Sequence, residues 1–257
     1  MGQFVSTLGT QMQAVALVLH LYLLTGSPVQ LGLLGLLRAV PIVTFSLVGG
    51  TLADARDRRR LLIVTQSILA SFSVLLAIVT GTGNASVLLI YVVTFLSAIA
   101  DVFDDPARQA LIPTLVPRHR LAQATTLNIL SQNIAAVAGP AVGGLTIGWL
   151  GLTSAYALNA LSFGAVIIAL VMMRERPEVP VMVRGGVHAV IEGLRFVRAN
   201  PVILSLMTLD FLATLFGAAL VLMPIFANEI LDVGEQGLGL LYAAPAAGAV
   251  LGGLVLS

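Results

Sequence analysis

The sequence contains no cysteine and no lysine, and charged residues occupy only 10% of its 257 positions. Without cysteine there is no disulfide, no thiolate metal site and no cysteine nucleophile. A soluble globular protein carries about 25% charged residues. A chain of this length cannot hide 58% hydrophobic residues from water, because surface grows almost as fast as volume. These scarcities exclude a soluble enzyme and indicate that lipid surrounds the chain.

Apolar runs long enough to cross a bilayer recur along the sequence. About 20 apolar residues span the hydrocarbon core as a helix, and backbone groups in lipid must pair within the segment. The period-2 alternation of strands is absent, so the runs predict helices. We predict eight spans: Gly2–Leu24, Gln30–Ala53, Leu61–Thr80, Ser86–Pro106, Ala122–Gly148, Thr153–Met173, Pro201–Ala227 and Gly237–Ser257.

The positive charges predict the orientation, because basic loops remain in the cytoplasm. Eleven of the thirteen arginines lie in the loops after spans two, four and six, and the alternate connectors hold none. We therefore expect an inner-membrane protein with both termini in the cytoplasm. Since eleven of the thirteen arginines lie in short connectors between apolar runs, we expect no nucleic-acid partner. The lipid bilayer and a small-molecule substrate are the expected partners, and no obligate protein partner is evident.

The loop after span six marks the domain boundary. It contains helix-stopping prolines and the flexible pair Gly185-Gly186. The spacing of apolar residues over Val187–Val197 predicts a short amphipathic helix on the membrane face. The predicted organisation is therefore a six-helix bundle (1–174), a cytoplasmic linker (175–200) and two further helices (201–257). A short internal repeat supports this division, because Leu31-Gly32-Leu33-Leu34 recurs 207 residues later as Leu238-Gly239-Leu240-Leu241.

Polar residues inside a span are costly, so they face a cavity or another helix. In span one, helical spacing places Gln3, Thr7, Thr10, Gln13 and His20 on one face. Hydrogen bonding between helices and the lining of a solute cavity explain this face equally well. His20 lies near the outer end, where we expect a solvated histidine rather than a proton carrier.

Span four carries three carboxylates within five residues: Asp101, Asp104 and Asp105. Asp104 and Arg108 are four residues apart and can pair on the helix surface. One interpretation is a structural ion-pair cluster at the inner interface. The other is a protonatable carboxyl group for coupling transport to protons. The dipeptide Asp105-Pro106 is expected to end or kink the helix.

Two solitary charges lie well inside apolar runs: Arg38 in span two and Asp210 in span seven. Each is a candidate for solute or proton handling, and structural pairing remains equally open. Asp210 follows the linker, so we expect it to close a cavity between the halves. Three scattered histidines assemble neither a metal site nor a nucleophile–base pair, so no catalytic residue, metal or bound cofactor is expected.

Two motifs carry a resemblance to a known family. Residues 50–59, GTLADARDRR, lie between spans two and three. They resemble motif A of the major facilitator superfamily, with Ala55 in place of the usual arginine and Asp57 in place of the usual glycine. In span five, Gly139-Pro140 and Gly143-Gly144 resemble the core of motif C of proton-coupled drug antiporters, although glycines also serve ordinary helix packing. Residues 106–117 are similar to a branch of macrolide-efflux and enterobactin-exporter-like permeases.

The resemblance implies an all-α major facilitator fold with a complete N-terminal six-helix bundle and the first two helices of the C-terminal bundle. It implies a transporter that works by alternating access, with the proton gradient as its energy source and efflux of an amphiphilic compound or siderophore as its activity. Gly50, Asp54, Arg58 and Arg59 would form the cytoplasmic gate. Because the family has twelve spans, the chain is expected to be a truncated gene product. An uptake permease and a non-transporting fragment are the alternatives.

Overall fold

Long helices make up the fold, and no strand occurs among the residues described. The computed structural model describes residues 2–55, 57–173, 195–217, 222–234, 237–238, 240–242, 244–245 and 248, and their side chains except at 2, 47–55, 115, 118, 211, 213–217 and 228. Within these described ranges, six helices are long and apolar enough to cross a membrane. They are α1 (Gly2–Thr25), α2 (Pro28–Ala55), α3 (Arg58–Gly81), α4 (Val87–Leu115), α5 (Leu121–Leu150) and α6 (Leu152–Met172).

The six long helices confirm the first six predicted spans. A short 3-10 turn at Arg118–Arg120 precedes α5. After the linker come α7 (Pro201–Gly217), the single turn α8 (Met223–Ile225) and a π-helical segment at Phe226–Ile230. Most of the predicted linker helix lies outside the described residues, except that residues 195–199 are helical. The predicted eighth span is described only at eight positions between 237 and 248, which are all helical.

The expected end of α4 at Asp105-Pro106 is wrong, while the alternative expectation, a kink at this dipeptide, stays a prediction. The helix does not end at Asp105-Pro106, because it continues through Pro106 and Pro113 to Leu115. Membrane helices tolerate interior prolines when neighbouring helices or local adjustments satisfy the freed backbone groups. The face carrying the carboxylates therefore continues without interruption toward the loop that holds Arg118–Arg120.

Short connectors reverse the direction of the chain between consecutive long helices. Gly26 and Gly151 adopt φ values of +60° and +79° in the turns after α1 and α5, a conformation that favours glycine. Asp57 begins α3 as its N-cap, since its carboxylate accepts hydrogen bonds from the backbone N–H groups of Arg59 and Arg60. The substitution of Asp57 for the motif glycine thus gives α3 a well-defined start.

Helix α1 is the centre of the bundle, because it packs against both α5 and α6. Helix α3 packs against α4 and α6, and α2 packs against α4. The largest buried cluster joins Leu19 of α1 to Ile147 of α5, Tyr156 of α6 and Leu238 beyond the linker. Large apolar side chains such as Val43 are exposed on the outside of the bundle, as expected for a surface that faces lipid.

Two glycines of span five allow α5 to approach the backbone of α1. An added Cβ atom at Gly143 would lie 2.8 Å from Cα of Met12, and one at Gly139 would collide with Cβ of Gln11. Helices in lipid associate through such small residues, because burying apolar surface gives no advantage there. The Gly139-Pro140 and Gly143-Gly144 pairs therefore lie at a helix contact, where Gly144 is also buried.

Replacing Gly143 with alanine should separate α1 from α5 and lower the thermal unfolding midpoint of the purified protein by several degrees. The reason is overpacking, which costs about 1–3 kcal/mol in a close-packed contact. Gly164→Ala in α6 is the matched control, since no atom lies within 4 Å of an added Cβ there. Equal midpoints for the two variants would contradict the close contact.

Candidate functional site: a charged cavity inside the bundle

A cavity of about 280 Å³ lies between the helices, mainly among α1, α2, α4 and α6, and it is open on the side where Arg38 is exposed. Its wall is mostly aliphatic and includes the aromatic side chains of Phe163 and Tyr242. An apolar wall with a few placed polar groups is the usual composition of a small-molecule site. The polar residues of the wall are Thr10, Gln11, Gln13, Arg38, Thr94, Ser97, Asp101 and Asn159.

The cavity brings together two of the predicted candidates, Arg38 of α2 and Asp101 of α4. The two charges lie within electrostatic range of each other, yet they form no direct salt bridge. Asp101 also accepts no hydrogen bond from any residue within the described ranges. Because charges inside a membrane span are costly and usually functional, this unbonded pair is the chemical centre of the cavity.

Two free hydroxyl groups lie on the same face of α4 as Asp101. The side-chain oxygens of Thr94 and Ser97 are buried, line the cavity and lack a hydrogen-bond partner in the described part of the chain. Leaving a buried polar group unpaired costs about 1–3 kcal/mol. A solute that hydrogen-bonds to these hydroxyls would recover that cost, so they are further candidates for solute contact.

Asp104 has a different environment from Asp101, although it is only one turn away. Its Oδ1 atom accepts hydrogen bonds from the Thr65 hydroxyl (2.6 Å) and the Gln66 amide (2.9 Å). Its Oδ2 atom forms a salt bridge with Arg108, with Nη2 at 2.6 Å. The carboxylate is 2% exposed and fully bonded, so it joins α3 to α4 as a structural ion pair.

The remaining predicted charges do not face the cavity. Asp105 is exposed, and Arg108 turns toward Asp104. Asp210 is exposed on α7 and does not line the cavity that contains Arg38 and Asp101. The structure therefore gives no contact through which Asp210 would close a cavity, and that role stays a prediction.

Gln13 belongs to a buried polar network that joins three helices. Its Oε1 atom accepts hydrogen bonds from the Ser73 hydroxyl of α3 (2.7 Å) and the Asn159 amide of α6 (2.9 Å). Ser162 donates in turn to Oδ1 of Asn159 at 3.0 Å. Gln13 and Asn159 also line the cavity, so the same side chains bind other helices and border the cavity, and contact with a solute stays a prediction.

Three arginine contacts tie the helices together at the arginine-rich end, which we define as the end carrying Arg58–Arg60 and Arg118–Arg120. Arg58 donates through Nη1 to the Ala110 carbonyl of α4 at 2.8 Å. Arg59 donates to the carbonyls of Leu170 (2.6 Å) and Val171 (2.8 Å) in the last turn of α6. A cation at a helix C-terminus stabilises the unpaired carbonyls and the helix dipole.

The other two residues of the predicted gate motif lie in α2. Gly50 and Asp54 are helical, but their side chains are outside the described set. The role of Gly50 and Asp54 in the cytoplasmic gate therefore stays a prediction. Arg58 and Arg59, by contrast, bind helices of their own bundle.

A contact at the opposite end joins α1 to the segment beyond the linker. The Tyr22 hydroxyl donates to Oε1 of Glu229 at 2.7 Å. The two residues are 207 positions apart, the same offset that relates Leu31 to Leu238 in the internal repeat. Glu229 lies in the π-helical segment, a backbone form that often marks functional positions.

The expectation of a solvated His20 is wrong. His20 is buried, and its Nδ1 atom lies 3.1 Å from the hydroxyl of Tyr156 in α6. The physical reason is the close packing of α1 on α6, which covers the outer turns of α1. A histidine near a helix end looks solvated in sequence, because the helix that covers it is distant along the chain.

The family described as "transmembrane secretion effector", within the major facilitator superfamily, matches residues 1–257. The chain belongs to this family. It is similar to the enterobactin exporter EntS of Shigella boydii serotype 18 and to those of Escherichia coli strains O1:K1 / APEC and O139:H28, each 26% identical over 254 residues. These matches cover 99% of the chain and 61% of each relative, so the chain spans less than two thirds of their length.

Family membership agrees with the predicted major facilitator fold and with a multi-pass membrane protein, and the family consists of transporters rather than enzymes.

Three residues that form contacts between helices or segments were not identified from the sequence of this secretion-effector family member: Asn159, Tyr156 and Glu229. Asn159 could have been identified from the sequence, because it is an isolated amide within a strongly apolar run. Glu229 could not have been identified, since it lies in a polar connector where a carboxylate is ordinary.

Replacing Asp104 with asparagine should destabilise this secretion-effector protein strongly. The change leaves Arg108, whose side chain is 16% exposed, without its counter-ion, and breaking a buried ion pair costs about 3–5 kcal/mol. The thermal unfolding midpoint in detergent measures the effect. Asp105→Asn is the matched control, one residue along on an exposed position, and should shift the midpoint by less than half as much. Equal shifts would contradict the structural role of Asp104.

Proposed function

We propose that this protein exports a small amphiphilic compound across the cytoplasmic membrane by alternating access, driven by the proton gradient. Two bundles that rock about a site near the bilayer midplane produce transport of this kind. The observation that carries the proposal is the open cavity between the helices, where Arg38 and Asp101 share one space without a direct salt bridge. Membership in a transporter family supports transport, and the mostly apolar wall suits an amphiphile.

The direction and the solute rest on the relatives. Three matched proteins carry the name enterobactin exporter, and the family description is a secretion effector. These names favour export over uptake, and a siderophore as the exported compound. Export moves the solute outward while protons enter, and in this proposal the two are coupled because the solute and the proton must exclude each other at one group.

Asp101 meets that requirement. As an ionised carboxylate, it accepts hydrogen bonds from hydroxyl or amide groups of a solute, because no described residue occupies its oxygens. A proton on Asp101 removes the charge and weakens those bonds, so the solute leaves. The free hydroxyls of Thr94 and Ser97 hold the solute on the same face of α4. Asp104 is excluded from this role, because its four hydrogen bonds already satisfy both oxygens.

The arginine-rich end faces the cytoplasm in this proposal, with both termini inside. Positively charged loops remain on that side of the membrane. Arg58 and Arg59 fix the inner ends of α4 and α6, and together with Gly50 and Asp54 they serve the cytoplasmic gate. The energy source is the proton gradient, without a bound cofactor.

The orientation can be tested with single cysteines, because the chain has none of its own. Asn84 and His119 are exposed in connectors at opposite ends of the bundle. In intact spheroplasts, an impermeant maleimide added outside should label Asn84→Cys and leave His119→Cys unlabelled until the membrane is opened. Labelling of His119→Cys alone would reverse the orientation.

The transport proposal predicts that Asp101→Asn lowers enterobactin export at least tenfold. The asparagine amide keeps the shape of the carboxylate but cannot take up and release a proton. Export is measured as enterobactin released by cells that lack their own exporter and express the complete reading frame containing this sequence. Asp232→Asn is the matched control, since Asp232 is exposed and outside the cavity, and asparagine tolerates its φ of +50°.

The same measurement separates the alternatives. Release that is stopped by a protonophore, lost in Asp101→Asn and kept in Asp232→Asn supports a proton-driven exporter. Energised accumulation of enterobactin inside the cells would indicate an uptake permease instead. Unchanged release relative to empty cells, with normal amounts of protein in the membrane, would indicate a non-transporting chain and would overturn the proposal.

A further inference from the structure

A second cavity, of about 190 Å³, lies among α1, α4 and α5 toward the arginine-rich end. Its polar wall differs from that of the central cavity, because it contains primary amides and hydroxyls and no charged side chain. We call this cavity the amide pocket. Its polar members are Gln3, Thr7, Asn128, Ser131 and Gln132.

Within the described residues, the pocket's polar side chains form one hydrogen bond with another pocket member, from the Thr7 hydroxyl to the Gln3 backbone carbonyl at 3.0 Å. The Gln3 Nε2 atom is buried and has no hydrogen-bond partner in the described residues. The side chains of Asn128 and Gln132 form no hydrogen bond to any described residue either. A structural network looks different in this protein, since Gln13, Ser73 and Asn159 bond to each other directly. Groups that converge on an open space without pairing indicate a site for an external partner.

The chemistry of the wall specifies that partner. Primary amides both donate and accept hydrogen bonds, so they match another amide or a hydroxyl group. A carboxylate or an ammonium group would enter without a counter-ion, at a high desolvation cost. Phe4 and Leu127 add apolar surface beside the amides, which suits a ring or a short alkyl group. The fitting ligand is therefore a neutral aromatic or alkyl group that carries an amide or hydroxyl.

The position of the amide pocket places it in line with the central cavity. Helix α1 contributes Gln3 and Thr7 to the amide pocket and residues from Thr10 to Val18 to the central cavity. At 1.5 Å per residue, the two stretches are centred about 13 Å apart along α1. Helix α5 also borders both, through Gln132 and Pro140. A solute that leaves the arginine-rich end along α1 meets the amide pocket first.

We propose that the amide pocket is a loading site, where the neutral hydrogen-bonding group of the solute docks before the solute reaches the central cavity. The loading role rests on the proposed export function. Binding of a neutral amide at this position does not depend on export, so the two can be tested separately.

The test measures protection of a single cysteine in the purified chain in lipid nanodiscs. Ala124→Cys places a thiol in the pocket wall and keeps all five polar side chains. The probe is benzamide, a neutral ring with one amide, and benzoate is the charged control of the same shape. Benzamide should slow the reaction of Ala124→Cys with N-ethylmaleimide at least threefold, and benzoate at equal concentration should slow it by less than half as much.

Two further variants show where the protection arises. Thr126→Cys lies on the exposed side of the same turn of α5, and benzamide should leave its labelling rate unchanged. Adding Gln132→Leu or, separately, Asn128→Leu to Ala124→Cys should remove the protection. The thermal unfolding midpoint of each double variant shows whether its fold is retained. The labelling rate of a double variant with an unchanged midpoint tests the role of the amide.

The outcomes separate the site from the transport. Three outcomes would overturn the proposed binding site in the amide pocket, whatever the export assay gives. They are no protection by benzamide, equal protection by benzoate, and protection that remains after an amide side chain is removed. Protection by benzamide in a chain that exports no enterobactin supports the binding site and overturns the proposed export alone. In an exporting chain, Gln132→Leu should raise the KM for enterobactin and leave kcat within twofold, since the loading site acts before the transport step.

Discussion

Lipid offers no hydrogen bonds, so a polar side chain inside a membrane helix depends on a neighbouring helix that comes close enough to bond to it. In this protein the approach is made possible by glycine. Gly139 and Gly143 bring α5 onto the backbone of α1, and Gly9 brings α1 onto the side chains of Asn159 and Ser162 in α6. The network around Gln13 forms at that contact. The position of α1, and with it the wall of both cavities, depends on these close contacts.

The carboxylates of α4 show how environment divides identical groups into different roles. Asp104 accepts hydrogen bonds from two donors of α3 and pairs with Arg108, so its charge holds α3 and α4 together. Asp101 lies one turn away and faces the cavity with Arg38, without a hydrogen bond from the described residues. Because Asp104 holds α4 in place, the helix can keep its packing when Asp101 gains or loses a proton. This separation underlies the proposed exchange of a proton for a solute.

The sequence predicts local features of this fold well and distant partners poorly. Apolar runs define the six long helices to within a few residues, except in α4, where the prolines suggest an end that the helix does not have. The pairing of Asp104 with Arg108 follows from a spacing of four residues. The burial of His20 by Tyr156 depends on residues 136 positions apart, and no periodicity encodes such a contact. Likewise, the sequence identifies Arg38 and Asp101 as unusual charges, but only the packing of α2 on α4 places them in one cavity.

The bond between Tyr22 and Glu229 joins two positions that the internal repeat makes equivalent. In a pair of identical subunits related by a twofold axis, equivalent positions on that axis necessarily carry the same amino acid, so a phenol would meet a phenol or a carboxylate another carboxylate. Two carboxylates would repel each other there. Joining both copies in one polypeptide removes this restriction, since each position can then change alone. A donor opposite an acceptor at two repeat-related positions is thus an asymmetry that two identical chains on a twofold axis could not form, and one polypeptide carrying both positions can.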